Sequence, residues 1–354
     1  MSMMLPSDLG MRPISQALST LPITRWLGAG HSASVYQVGY LESTATVLKL
    51  AVAPRSATPH GNVAATVTQE RAVLEFLNKC GAETSAGLAS DPFLFQKVPF
   101  SPLDHFPQVV DQTTDGQVLP GEVSAIYLRP VGRRLDASNI EPIHIDHAFH
   151  TLWWTHVRDV LHHDLSYNNL LLAPAGWRGG KAVTGQTVLV LIDWQFSALP
   201  EDVYNGAFRG TVITMSQRQL QSRMRLADFA GAALAVAAGT ATDSTAQPYI
   251  SSDPSAAAHP SNVEYDVEDE LEAAVKAFLL ILSPSLKRRV KRGMKTWPTL
   301  LSGSKEEQIG ELCARLHDFW EGILPSKVKV MCSNKDYAGL STYLKTELLH
   351  FACR

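Results

Sequence analysis

At 354 residues, 45% of them hydrophobic and 18% charged, the chain can bury a large core or two packed lobes around a cleft, an ordinary globular composition for which disorder is not the default. Its 31 Lys and Arg against 34 Asp and Glu leave a formal charge of −3, so no whole-molecule field favours nucleic acid or an anionic membrane, and any anion site has to be local. The 4 cysteines, Cys80, Cys313, Cys332 and Cys353, are scattered without a Cys-x-x-Cys pair, which argues against a disulfide framework or a zinc ribbon and for a reducing compartment.

The start, Met-Ser-Met-Met-Leu-Pro-Ser-Asp, lacks a basic patch followed by an apolar core, and the apolar runs Ala230–Ala238 and Ala277–Leu282 are far short of a membrane span. A cytoplasmic or nuclear protein is expected. Residues 1–20, broken by Pro6 and Pro13, read as a tail. Trp26–Val38 runs Gly28 and Gly30 into β-branched and aromatic residues, the pattern of a hairpin whose turn can approach a phosphate through bare backbone amides, and equally of a plain tight turn. Thr46–Val52 reads as a mostly buried strand, inside which Lys49 is costly unless it meets an opposing charge. The next helix, Val67–Lys79, carries Val73, Leu74 and Leu77 on one stripe and offers Glu70 as that charge. Taken singly, a snorkelling lysine and a solvated glutamate would account for both residues.

Residues 81–122 are rich in Pro, Asp, Ser and Gly and read as loops with one strand. Ser124–Leu128 is a further strand, ended by Arg129-Pro130-Val131-Gly132. Such a linker offers backbone donors and acceptors to a ligand while letting two lobes move. Ile145–Leu161 spaces Phe149, Leu152, Trp153, His156, Val157 and Val160 as an amphipathic helix. His144, His147 and His150 recur by threes, but no cysteine or acid completes a metal set, so packed or solvated histidines are expected. His162-His163-Asp164-Leu165-Ser166-Tyr167-Asn168-Asn169 then places an acid and an amide five residues apart before the apolar Leu170-Leu171-Leu172. Alone, it could be a polar turn leading into a buried strand. Val188–Gln195 is an apolar strand ending in Asp193. Ser197–Leu220 and a flexible insert over 221–262 follow, then a buried helix over Val267–Leu282. The cluster Lys287, Arg288, Arg289, Lys291, Arg292 and Lys295 reads as a solvated helix face, with an acidic partner or a nuclear address as the alternative. Helices over 306–320 and 335–351 complete the chain.

In chain order, Gly28 and Gly30, Lys49, Glu70, Asp164, Asn169 and Asp193 resemble the succession of a eukaryotic protein kinase-like catalytic domain over roughly residues 20–354. Leu128–Gly132, His162–Ser166, Arg209-Gly210-Thr211 with Met215, and Glu268–Glu272 are most similar to the fungal-specific protein kinase-like family. The resemblance implies an α+β, bilobal fold: a tail (1–20), a small β-rich N-lobe (21–128) and a larger helical C-lobe (129–354). It implies ATP and Mg2+ as cofactors. Asp164 would be the base, Asn169 and Asp193 the metal ligands, and Lys49 paired to Glu70 the holder of the phosphates. Gly28, Gly30, Val35, Tyr127 and Leu128 would line the nucleotide. It also implies a protein or peptide substrate phosphorylated on Ser or Thr, Ser197–Leu220 as the activation segment and Gly210-Thr211 as its substrate-facing turn.

Five departures qualify that expectation. His163 stands where arginine is usual, Ser166 where lysine is usual, Trp194-Gln195 where Phe-Gly is usual, Arg218 where a glutamate closes the substrate segment, and Glu270 where the central helix usually begins with Asp. Ser166 and Ile192-Asp193-Trp194 also suit a small-molecule phosphotransferase of aminoglycoside or choline kinase type. The altered loop and segment suit a pseudokinase that serves as a binding module.

Overall fold

The computed structural model describes residues 23–29, 33–39, 46–52, 63–83, 93, 100–110, 123–178, 185–197, 199–200, 211–237, 264–295 and 305–352. The tail at 1–20, Gly30 and the turn at Arg209-Gly210 lie outside these residues. The fold is mixed α+β. It divides into two compact units, one of Met1–Asp164 with Asn168–Asp202, the other of Leu165–Tyr167 with Val203–Arg354. The lobe boundary expected at 128/129 falls inside the first unit.

In the first unit, β1 (Ile23–Ala29), β2 (Ser34–Val38), β3 (Thr46–Val52), β4 (Gln108–Val109) and β5 (Val123–Arg129) form an antiparallel sheet in the order β1-β2-β3-β5-β4. Alternation along the strands turns Tyr36, Val38, Leu48 and Leu50 into one core, against which Ile23, Ala125 and Tyr127 pack. Helix α1 (Val63–Glu83) lays Val67, Glu70, Leu74, Leu77 and Gly81 along its buried face. Gly81 lets Leu103 lie close: a Cβ there would meet Leu103 Cδ2 at 2.7 Å and require that side chain to shift.

A second sheet orders β6 (Arg133–Arg134), β7 (Leu170–Pro174) and β8 (Thr187–Leu191) side by side. Gly132 lets the chain into it: a Cβ would sit 3.0 Å from both Leu171 Cβ and Leu172 O. Helix α2 (Pro142–His156) is buried along nearly its whole length. It is shifted from the expected 145–161, since Pro142 opens it at the first turn and Asp159, at φ 55, reverses the backbone before Val160 and Leu161. His144, His147 and His150 are packed histidines, and no cluster able to hold a metal ion occurs among the described residues.

In the second unit, α3 (Gln217–Ala237) corrects the expected insert over 221–262. Its first part is helical, as an alanine-rich run favours, and residues 238–262 lie outside the described ones. Helix α3 packs on α6 (Lys305–Glu321) so closely that a Cβ on Gly310 would meet Ala227 Cβ at 2.6 Å. Helix α4 (Val267–Leu282) is buried from Asp269 to Leu282, and its N-terminus is capped by Asp266, whose Oδ1 accepts the amides of Glu268 and Asp269. The basic cluster lies on α5 (Pro284–Lys295), with Lys287 Nζ 3.9 Å from the centre of the Tyr167 ring. Helices α7 (Ser326–Ser333) and α8 (Tyr337–Ala352) follow. No described helix is long and apolar enough to cross a membrane.

Candidate functional site

Lys49 sits in the middle of β3, paired with Val35 on β2 and Ile126 on β5, so two ladders hold its backbone while its side chain leaves one face. Its ammonium meets Glu70 Oε2, 21 residues on, at 2.7 Å and Asp193 Oδ1, 144 residues on, at 2.5 Å. Lys49 is 7% exposed and Glu70 0%. Burial works against the charge on Lys49, but Glu70 and then Asp193 outweigh it and push its pKa above the ordinary lysine value. Burial raises the Glu70 carboxyl above its ordinary value, the Lys49 ammonium at 2.7 Å drawing it part of the way back. The sequence expectation of a Lys49–Glu70 ion pair is met, and Asp193 joins it.

The ends of β7 and β8 bring the remaining polar groups together. Leu170 pairs with Leu191, and Ile192 N–H donates to Asn169 O at 3.0 Å, which places Asn169 and Asp193 at the same end of the hairpin. Asn169 Nδ2 donates to Asp164 O at 2.8 Å and to Asp164 Oδ2 at 3.3 Å, so the amide oxygen of Asn169 is turned away from Asp164. His162 ties the acid loop to the strand end. Its Nδ1 accepts Asp164 N–H at 3.3 Å, which leaves Nε2 as the donor to Ile192 O at 2.9 Å, and its ring lies 4.5 Å from that of Trp194. Ser197 Oγ donates to His162 O, and Gln69 Nε2 on α1 donates to Ser197 O, so the residues after Asp193 are bound to both the loop and the helix. Trp194 is fully buried, with Nε1 donating to Leu191 O at 2.9 Å.

Two residues here hold left-handed backbone, His163 at φ 63 and Asp193 at φ 70. Such non-glycine conformations cost about 1–3 kcal/mol each and persist where surrounding contacts over-determine them. They flank Asp164 and form the strand-end acid.

The other expected site residues fall as follows. Gly28 pairs with Val35, and a Cβ on it would meet nothing within 4 Å, so the space above that strand is open. Tyr127 and Leu128 lie inside β5 and not in the linker: Tyr127 O accepts Val110 N–H at 2.9 Å, and Leu128 is paired on both sides. The backbone available beyond the strand is that of Pro130–Gly132.

In the second unit, Arg218 Nη2 meets Asp269 Oδ2 at 2.5 Å and Asp266 Oδ2 at 2.8 Å. The hydrogen bonds it donates to Asp269 lead the causes that push its pKa up against burial. Sequence reading marked Arg218 as a departure without finding these partners on the first turn of α4. Fully buried Lys276 bonds Glu272 at 2.7 Å and Met215 O at 2.6 Å, anchoring the residues just before α3. His162 was named only as part of its loop and Ser197 only as the start of the activation segment, neither with a bonding role, and Gln69 was not singled out.

Compared with known protein families the chain matches no family model, and compared with curated proteins it has no match.

Proposed function

We propose that the chain is an ATP- and magnesium-dependent phosphotransferase of protein kinase-like fold that acts on the hydroxyl of a protein Ser or Thr. The observation that carries this reading is the meeting of Lys49, Glu70 and Asp193 in one unit, with His162 tying Asp164 to the same strand end. A magnesium ion takes one or two carboxylates and completes its shell with water and phosphate oxygens. Asp193 and the amide oxygen of Asn169 suit that donor set, since the Asn169 amide nitrogen is already committed to Asp164. The ion would supply charge neutralisation at the transferring phosphate. Lys49, held by Glu70, would hold the phosphates, and Asp164 would accept the proton of the acceptor hydroxyl.

The test is phosphate transfer from ATP by wild type beside Asp164→Asn, with a peptide library and small alcohols as acceptors. Transfer to Ser or Thr peptides by wild type alone is expected. Transfer to alcohols alone would replace the acceptor class, and equal signals from both proteins would end the proposal. Thermal unfolding supplies a second reading: ATP with magnesium at a hundredfold excess over its dissociation constant should stabilise the wild type by about 2.7 kcal/mol. A shift without transfer would leave a nucleotide-binding module.

A further inference from the structure

The proposed function leaves the run of cations on α5 without a task. Residues 273–305 contain 8 Lys and Arg and no Asp or Glu, in a chain whose formal charge is −3. On α5, Val290 is buried and Leu286 half-buried, while Arg288, Arg289, Lys291 and Arg292 are exposed. Lys287 stands one turn from Lys291 and Arg288 one turn from Arg292, a spacing at which like charges on a helix repel. Elsewhere in the second unit helical cations at the surface meet acids: Arg315 bonds Glu311 at 2.6 Å, and Lys329 bonds Glu321 at 2.6 Å. Among the described residues no carboxylate pairs with Arg288, Arg289 or Lys291. Aromatic rings face them instead. Lys291 Nζ lies 5.7 Å from the centre of the Tyr167 ring, on the same ring as Lys287, and Arg289 Cζ lies 5.5 Å from that of Phe319 on α6. Asp318, next to Phe319, contacts His317.

We propose that this face of α5 docks an acidic segment of the protein substrate, an inference that rests on the proposed function and names the substrate class. Guanidinium forks match carboxylates in pairs of hydrogen bonds, and an anion laid across the cations relieves their mutual repulsion. The 12 residues of α5 run about 18 Å, the span of about five residues of extended peptide. Tyr167, under Lys287 and Lys291, follows Asp164 by three residues in the chain, a reach of no more than about 11 Å. The acids therefore belong within a few residues of the phosphorylated hydroxyl. Nucleic acid fits less well, since the rings here are covered by cations and Tyr167 is buried, leaving its face no room to stack a base. A lipid surface fits less well too, because Leu286 and Val290 turn inward and leave charge outside.

Fluorescence anisotropy on the full chain tests it with labelled twelve-residue peptides whose central Ser is flanked by Glu, by Gln or by Lys. The Glu peptide should bind at least tenfold tighter than the other two in about 50 mM salt and weaken tenfold or more in about 300 mM, as contacts to exposed charges do. Arg288→Glu with Lys291→Glu should weaken it tenfold or more. Arg225→Glu with Lys327→Glu, the same charge change at exposed cations of α3 and α7, should leave it within twofold. With ATP and magnesium, kcat/KM for the Glu peptide should exceed that for the Gln peptide at least tenfold, and the α5 double variant should lose that advantage through KM with kcat within twofold. Transfer that ignores flanking charge would overturn the α5 site and leave the proposed function standing. Binding of the Glu peptide through α5 without any transfer would end the proposed function and leave an acidic partner on this face. Equal binding of the three peptides by the wild type, or tighter binding of twelve-residue oligothymidylate or of phosphatidylserine vesicles through the same residues, would overturn the proposal.

Discussion

Replacing Lys49 by Met leaves the Glu70 carboxyl, 1% exposed in its side chain, without the ammonium that meets it at 2.7 Å. Removing one partner of a buried ion pair costs about 3–5 kcal/mol, because the remaining charge is stranded in a medium that solvates it poorly. Asp193, 28% exposed in its side chain, is reached by water and adds little to that cost. Against a total stability of about 5–15 kcal/mol, the variant should be marginal. Replacing both partners, Lys49→Met with Glu70→Leu, removes the stranded charge and should recover at least half of the loss, a coupling of about 2 kcal/mol or more. The pH dependence supplies the sign. In Lys49→Met, burial acts on Glu70 without its cation, so the folded-state pKa lies above the ordinary 4.5. The folded variant then binds the proton more tightly than the unfolded chain. Its stability is therefore fullest below 4.5 and falls as pH rises through the raised value, so the gap to wild type widens from pH 5 to pH 8. Urea unfolding followed by tryptophan fluorescence measures all four proteins of the cycle. If the double variant loses the sum of the two single losses to within about 0.5 kcal/mol, Lys49 and Glu70 are not a coupled buried pair and the reasoning fails.

His105 titrates in the opposite sense. Burial first, opposed by its hydrogen bond to Leu189 O, lowers its pKa from 6.5 to about 4, so the folded state holds it neutral. That contribution, about 3 kcal/mol, is present above pH 6.5 and is lost as pH falls toward 4; His105→Gln should flatten the slope of stability against pH in that window. His162→Phe keeps a ring beside Trp194 but removes the acceptor for Asp164 N–H and the donor to Ile192 O, at a cost of about 1–3 kcal/mol in thermal unfolding; an unchanged midpoint would deny the tie. Gly132→Ala should cost about 1–3 kcal/mol, since its Cβ would lie 3.0 Å from Leu172 O, whereas Gly293→Ala, on a helix with open space around it, should add up to about 1 kcal/mol. Under the proposed function, phosphatase treatment should leave turnover unchanged, because His163 lacks the guanidinium that a phosphorylated loop would pair with.

What could be read from the sequence follows from where the information sits. Thr46–Val52 and Val267–Leu282 have the same bounds in sequence and structure, because a β-branched run around one lysine and a sustained 3.6-residue period are local signals. Lys49 and Glu70 were legible for a related reason: a lysine in a buried strand needs a carboxylate, and the next helix offers one on its apolar face. Helix ends were not legible. Asp159 takes its left-handed turn because of how the chain returns to the sheet, which no period in 145–161 reveals, and α7, eight residues with only Val328 and Cys332 buried, is too short to show one. His162 was visible as part of its loop, but its tie was not, since that depends on Ile192 O, 30 residues away.

The charge count at the site argues against a purely structural role for it. Among the described residues one ammonium faces two carboxylates, Glu70 and Asp193, and the second acid adds repulsion toward the first that a single lysine does not fully cancel. A buried ion pair is already a weak stabiliser compared with apolar packing of similar volume. Adding Asp193 on left-handed backbone makes the arrangement costlier still. The groups that would relieve that excess negative charge are cations, and a metal ion accompanied by phosphates would meet both needs at once, drawing Asp193 to the metal and leaving Lys49 to the phosphates. The proposed function therefore predicts a specific rearrangement: with ATP and magnesium bound, the Lys49–Asp193 contact opens while Lys49–Glu70 persists. A crystal structure of that complex with Lys49 Nζ still on Asp193, and the nucleotide elsewhere, would refute it.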